Sequence, residues 1–214
     1  MLYLIPGLGA DARVFSYLDL GDQSHQVIQW EIPHKNEPLA SYVDRLLPQI
    51  QRESAIDLIG VSFGGIIALE IAKRLPCRRL MLISSLLHSR ELPLLTRLLG
   101  RITNRSWIPD SWIRQSMNIG ANYLFGPLDS EERVLLKRIL DDTDIAFVNW
   151  ATSHILKWEG AEQKDWGTRL HGTKDRIIPI SKVPTCVMIR GGGHMMIVSH
   201  AKEISDWIRG DWIK

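Results

Sequence analysis

Cysteine is nearly absent from this chain of 214 residues, which carries only Cys77 and Cys186. The two lie far apart, beside or within apolar segments, and read as reduced thiols of an intracellular protein rather than as a disulfide framework. Long hydrophobic runs are missing too. No stretch approaches the roughly twenty apolar residues that cross a bilayer. The opening MLYLIPGLGAD has no positive leader and too few apolar residues before Pro6 for a signal peptide, so it reads as a first strand. A cytoplasmic protein with no membrane partner is expected. Net charge is only +2, and no basic run with interleaved aromatics occurs, which argues against a nucleic-acid partner. A small-molecule substrate suits the composition better. Repeats, low-complexity segments and flexible linkers are absent as well. The length suits one domain, with room for an inserted subdomain.

What the chain does have is IDLIGVSFGGIIALEIAKRL, Ile56 to Leu75. A short apolar run meets Gly60, Val61, Ser62, Phe63, Gly64 and Gly65, after which apolar residues take up helical spacing. The pattern is strand, sharp turn, helix, with a serine at the apex. Gly60 and Gly64 bracket Ser62 because side chains there would collide as the strand doubles back. Glycine and serine are common, so G-x-S-x-G alone is weak; its strand-to-helix setting gives it weight.

Strands are expected at Leu2 to Ile5, Gln26 to Trp30, Ile56 to Ile59 and Arg79 to Ile83. A short helix is expected around Arg13 to Leu18. A longer one runs from Leu39 to Ile50, with Ser41 near its start and Pro48 as an interruption. Such alternation argues for parallel strands joined by crossover helices. From Leu86 to about Asp165 the signals turn wholly helical: Leu92 to Ile102, Asp110 to Ile119, Ser130 to Leu140 and Asp144 to Trp158. Trp107, Trp112, Tyr123, Phe125, Phe147, Trp150 and Trp158 lie in this stretch. They form the small core of a helical insertion or, alternatively, line an apolar pocket over Ser62. Alternation resumes with strands at Gly167 to His171 and Thr185 to Ile189, and a closing helix carries Ile197, Ala201, Ile204, Trp207 and Ile208.

A serine hydroxyl needs a base to take its proton, and the base needs an acid to fix its tautomer. Of the seven histidines, His194 alone follows a strand in a glycine-rich loop, at the end where open α/β sheets place their sites. His171 ends a strand without such a loop, and His200 reads as a surface residue. Asp175 stands in a loop just past a strand and serves either as the acid or as a turn residue before Ile177 and Ile178. The order Ser62, Asp175, His194 matches that of α/β-hydrolases and differs from the two protease orders.

With these pieces the chain resembles the α/β-hydrolase family over nearly its whole length. PGLGAD at Pro6 to Asp11, GVSFGG at Gly60 to Gly65, HGTKDRIIP at His171 to Pro179 and GGGH at Gly191 to His194 carry the resemblance. It implies a mostly parallel sheet of about six strands flanked by helices, with residues 1–85 and 166–214 forming the core and 86–165 a helical cap. It further implies Ser62 as nucleophile, Asp175 as orienting acid, His194 as general base, and an oxyanion hole from the backbone N–H groups of Leu8 and Phe63. Many relatives carry histidine where this chain has Pro6, and the family's usual amino-terminal strand pair is not expected ahead of the strand at Leu2 to Ile5. Neither cofactor nor metal is expected.

The function these parts imply is hydrolysis of a carboxylic ester or thioester of a small, largely apolar substrate through an acyl-serine. A serine at the elbow, rather than aspartate, disfavours the dehalogenase and epoxide-hydrolase branches. Two alternatives stay open: carbon–carbon bond hydrolysis or a lyase reaction with the same three residues, and non-catalytic ligand binding on an inherited fold.

Overall fold

The computed structural model describes residues 1–51, 55–94, 97, 120, 123–161 and 167–212. Among these, six strands form one sheet: β1 (Leu2–Ile5), β2 (His25–Val27), β3 (Ile56–Val61), β4 (Cys77–Ile83), β5 (Thr168–Gly172) and β6 (Val187–Ile189). Their order is β2-β1-β3-β4-β5-β6, and every pair is parallel. All carboxyl ends therefore share one edge. From β1 the chain steps outward to β2 and then returns past β1 to β3, so the order reverses between β1 and β3. Open α/β sheets bind ligands in the crevice at such a switch point.

Both faces of the central strands are covered, which is why β1 is wholly apolar and β3 and β4 are so apart from Asp57, Arg78 and Arg79. Tyr3, Ile5, Leu58, Leu80 and Leu82 face one core; Leu2, Leu4, Ile59, Val61, Met81 and Ile83 face the other. That is the period of two expected of a pleated strand. Helix α1 (Leu39–Leu46) and helix α2 (Phe63–Ala72) cover the first face. Helix α2 is apolar nearly all round, as a helix buried between a sheet and other helices must be.

The edge strand is shorter than Gln26 to Trp30. After Ile28 N–H donates to Leu4 O at 2.9 Å the ladder stops, because Trp30 turns inward to donate from its ring nitrogen to Gly7 O. A single 3₁₀ turn, Ala12–Phe15, replaces the helix expected over Arg13 to Leu18. Pro48 interrupts the next helix: α1 ends at Leu46 and a 3₁₀ turn, Leu47–Gln49, restarts with the proline in its first positions, where a missing N–H costs nothing.

In the stretch expected to form a cap, the helices over Leu92 to Ile102 and Asp110 to Ile119, with Trp107 and Trp112, lie almost wholly outside the described residues. Helix α3 (Ser130–Asp142) and helix α4 (Ile145–Lys157) are described. Asp129 and Glu132 close a reciprocal capping box at the start of α3, and Asp144 caps α4. The two helices part company: Leu136, Ile139 and Leu140 of α3 join the second core, whereas Phe147 and Ala151 of α4, with Trp158 just beyond it, join the first. The buried aromatics here thus extend the sheet's own core instead of forming a separate one. Tyr123 is exposed. The closing helix is divided at His200 into α5 (Met196–Ser199) and α6 (Ala201–Trp207), followed by a π turn, Ile208–Trp212. Among the described residues no helix is long and apolar enough to cross a membrane.

Candidate active site

Ser62 sits between β3 and α2 with φ 52° and ψ −118°, a backbone conformation that side-chain-bearing residues rarely adopt. The surroundings over-determine it. Its N–H donates to Ile83 O at 2.9 Å, its carbonyl accepts from Gly65 N–H at 3.0 Å, and the Ser85 hydroxyl donates to that carbonyl at 2.7 Å. Close approach explains the glycines. A Cβ at Gly60 would lie 2.5 Å from Gly64 O, and one at Gly64 would lie 2.2 Å from Ile5 O. The turn thus presses the start of α2 against the end of β1.

Ser62 occupies the N-cap position of α2, yet its side chain makes no capping bond. Its hydroxyl lies instead 2.9 Å from His194 Nε2. His194 Nδ1 is in turn 2.8 Å from Asp175 Oδ2. An ionised carboxylate only accepts, so Nδ1 carries the proton and Nε2 is left to accept from Ser62 Oγ–H. The other oxygen of Asp175 accepts from the N–H groups of Ile177 and Ile178 at 2.9 and 2.8 Å. Burial opposes ionisation of Asp175. The charge and hydrogen bond of His194, with the Ile178 N–H, outweigh it and hold the carboxyl below the ordinary aspartate value. Asp175 and His194 are buried, whereas Ser62 keeps part of its surface open.

Three strand ends thus contribute: β3 the serine, the loop after β5 the aspartate, and the loop after β6 the histidine. A fourth, after β1, brings Gly7 against Ser62, where an added Cβ would touch Ser62 Cβ at 3.5 Å. Gly7 O accepts from Ala10 N–H at 3.0 Å and from Trp30 Nε1–H at 3.2 Å. Because the peptide is trans, these bonds turn the Leu8 N–H to the opposite side. Phe63 is the first residue of α2, where backbone N–H groups have no partner within the helix.

Sequence reasoning set His171 aside, but the fold brings it to the same aspartate. Its Nε2–H donates to Ile178 O at 2.7 Å and lies 3.4 Å from Asp175 Oδ2. The ring is fully buried, and its Nδ1 has no hydrogen-bond partner. Burial pushes its pKa down and keeps it neutral. The signal was the four-residue spacing from His171 to Asp175, in a motif otherwise read for its aspartate. Phe125 was also undervalued: its ring meets His194 edge-on at 5.7 Å. On the opposite flank, Phe63 contacts Trp30 at 5.6 Å, Trp150 at 6.2 Å and Phe147 at 6.3 Å, forming an aromatic wall beside the elbow. His200 is partly exposed and pairs with Ser199 Oγ. No group of three or more His, Cys, Asp or Glu among the described residues is arranged to hold a metal ion.

Residues 2–207 match the model of the family described as "Alpha/beta hydrolase family". A search of curated protein sequences found no match. Among solved structures, the chain is similar to an esterase from Exiguobacterium antarcticum (TM-score 0.70, 14% identity, covering 100% of this chain and 92% of that one). It also resembles a meta-cleavage product hydrolase from Pseudomonas fluorescens IP01 (0.69, 15%, 97% and 88%). A third similar structure is a bromoperoxidase from Bacillus anthracis (0.68, 15%, 97% and 90%). At these identities the likeness shows the fold alone.

Proposed function

The chain belongs to the alpha/beta hydrolase family, and from that premise we propose that it is a serine hydrolase acting on a carboxylic ester or thioester of a small, largely apolar acyl group. The observation that carries this reading is the unbroken path from Asp175 through His194 to the Ser62 hydroxyl, with separations of 2.8 and 2.9 Å. Ser62 Oγ attacks the acyl carbon while its proton passes to His194 Nε2, and Asp175 stabilises the imidazolium that forms. The negative oxygen of the tetrahedral intermediate is received by the N–H groups of Phe63 and Leu8. One such donor is worth about 3 to 4 kcal/mol in comparable enzymes. His194 then returns the proton to the departing alcohol or thiol, leaving acyl-Ser62. Water, deprotonated by His194, attacks the acyl carbon and releases the acid. These steps need neither cofactor nor metal.

Trp30 and Trp150, partly exposed over the buried Phe63 and Phe147, lie on the Gly7 side of Ser62 and offer an apolar surface to an acyl chain. In this reading residues 86–165 act as the cap that closes over that chain. The test is a panel of acyl esters and thioesters run beside Ser62→Ala. Turnover should fall about a million-fold in the variant, and a fluorophosphonate should label Ser62 in the folded wild type. Unchanged turnover, or failure to label, sinks the proposal.

A further inference from the structure

Behind the His194 loop lies a concavity of about 420 Å³ lined by Gly126, Pro127, Leu128, Arg133, Lys174 and Arg176. Its three charged residues are all basic and all exposed. This contrasts with the rest of a chain whose net charge is only +2. Arg13, Arg45, Arg74, Arg169 and Arg209 each meet a carboxylate at hydrogen-bond distance. Here, among the described residues, no carboxylate lines the space. Of the acids nearest in sequence, Asp175 is buried and given to His194 and to the Ile177 and Ile178 N–H groups, Asp129 and Glu132 are spent on each other's backbone N–H groups in the capping box, and Glu131 does not line the space. Three like charges lining one space with no carboxylate among them repel one another, and an anion relieves that cost.

The concavity is also partly built. Arg176 is held by a bond to Tyr123 O at 2.9 Å and by its guanidinium lying 4.2 Å over the Tyr123 ring, which leaves other N–H groups of the fork free. Lys174 N–H donates to Gly192 O at 2.8 Å, and Met195 N–H to Phe125 O at 3.2 Å. Gly126 lies so close to Gly193 that a Cβ on it would meet Gly193 Cα at 2.7 Å. The basic walls are thereby fastened to the loop that carries His194, on the side where Phe125 faces the imidazole.

We propose that this concavity binds phosphate on the leaving group of the substrate, and hence that the substrate is an acyl thioester whose thiol carrier bears phosphates. The inference rests on the hydrolase reading above. His194 must protonate the departing sulfur, so the leaving group lies on the His194 flank, which is the flank the concavity adjoins. The acyl group takes the opposite, aromatic flank. Phosphate fits better than carboxylate because one carboxylate satisfies one guanidinium, whereas three cations suit the several oxygens of a phosphate.

The test compares butanoyl-coenzyme A with S-butanoyl-N-acetylcysteamine, which share the reacting bond and differ in the phosphates. Wild type should prefer the first at least tenfold in kcat/KM. Arg133→Ala/Lys174→Ala, and separately Lys174→Glu, should collapse that preference at least tenfold through KM. Calorimetry with free coenzyme A and Ser62→Ala protein should show saturable binding, weakened by salt and at least tenfold by the same substitutions. Turnover of both thioesters without preference, or no binding of coenzyme A, overturns the phosphate site and leaves the hydrolase reading standing. Binding without any turnover or Ser62 labelling overturns the hydrolase reading and, with it, the assignment of the phosphate to a leaving group.

Discussion

Asp175 reaches His194 Nδ1 with one carboxylate oxygen, at 2.8 Å, and fastens its own loop with the other, through the N–H groups of Ile177 and Ile178. The two jobs are separable. In Asp175→Asn the amide oxygen can keep the loop while the NH₂ faces His194 and donates, forcing the imidazole into the tautomer whose Nε2 carries hydrogen. That nitrogen can no longer accept the Ser62 proton. On the proposed mechanism kcat should fall about 10⁴-fold, with the urea midpoint close to that of wild type. A variant that unfolds early instead would mean that the carboxylate serves the loop rather than the imidazole.

The crowding around the elbow makes a sharper stability prediction. A Cβ at Gly64 would sit 2.2 Å from Ile5 O and 2.3 Å from Pro6 O, both backbone atoms that cannot swing aside, whereas one at Gly7 would make ordinary contact at 3.5 Å. Gly64→Ala should therefore lose about 3 kcal/mol or more of folding free energy, and Gly7→Ala less than about 1 kcal/mol. Denaturant titration of both variants checks this, and equal losses would contradict the packing described for the end of β1.

The fold was legible wherever burial writes itself into consecutive residues. Strands β1, β3 and β4 each hold a short apolar run that ends at proline or serine, because both faces of a parallel sheet are covered. Ser62, Asp175 and His194 stood out because each follows such a run. Contacts made by side chains remote in sequence were not legible. Nothing in the spacing of Trp30 foretells its bond to Gly7 O. Helical periodicity in α3 and α4 showed that each has an apolar face, but not that the two faces enter different cores. The end of β2 was misjudged for the same reason: Gln29 and Trp30 look like strand residues until the inward turn of the indole is known.

A buried acid sets the behaviour of the fold at low pH. Asp57 on β3 is almost wholly inaccessible and meets Arg78 and Arg79 at the start of β4. Burial opposes its ionisation, but the two guanidinium groups prevail and bring its pKa down to about 2, against about 4 in an unfolded chain. The folded-state value being the lower, the stabilisation is complete above about pH 4 and is lost as pH falls toward 2. Asp57→Asn should cost about 2 kcal/mol at pH 7, and the gap from wild type should close by pH 2. A gap that persists there would assign the loss to packing rather than to charge.

His171 gives the opposite residue type the same sign. Its ring is fully buried, faces Asp175, His194 and Arg169, and is held neutral chiefly by burial, with its pKa below the ordinary histidine value. An unfolded chain would bind a proton at His171 near pH 6.5; the folded chain resists until lower pH. Its contribution is therefore complete above about pH 6.5 and declines as pH falls below it, by at most about 1.4 kcal/mol per pH unit. His171→Gln removes that titration while its amide can still donate to Ile178 O, the bond that closes the Asp175 loop. Unfolding free energies measured from pH 7.5 down to 4.5 should fall less steeply in His171→Gln than in wild type. His171→Phe, which leaves the Ile178 carbonyl unpaired, should in addition lose about 1 to 3 kcal/mol across the whole range. Because the same loop presents Asp175 to His194, His171→Phe should also lower kcat while leaving KM nearly in place, with His171→Gln restoring most of it. Parallel pH curves for wild type and His171→Gln would show that His171 takes up its proton in the folded state as readily as in the unfolded one, and would remove its claim to be a neutral support for Asp175.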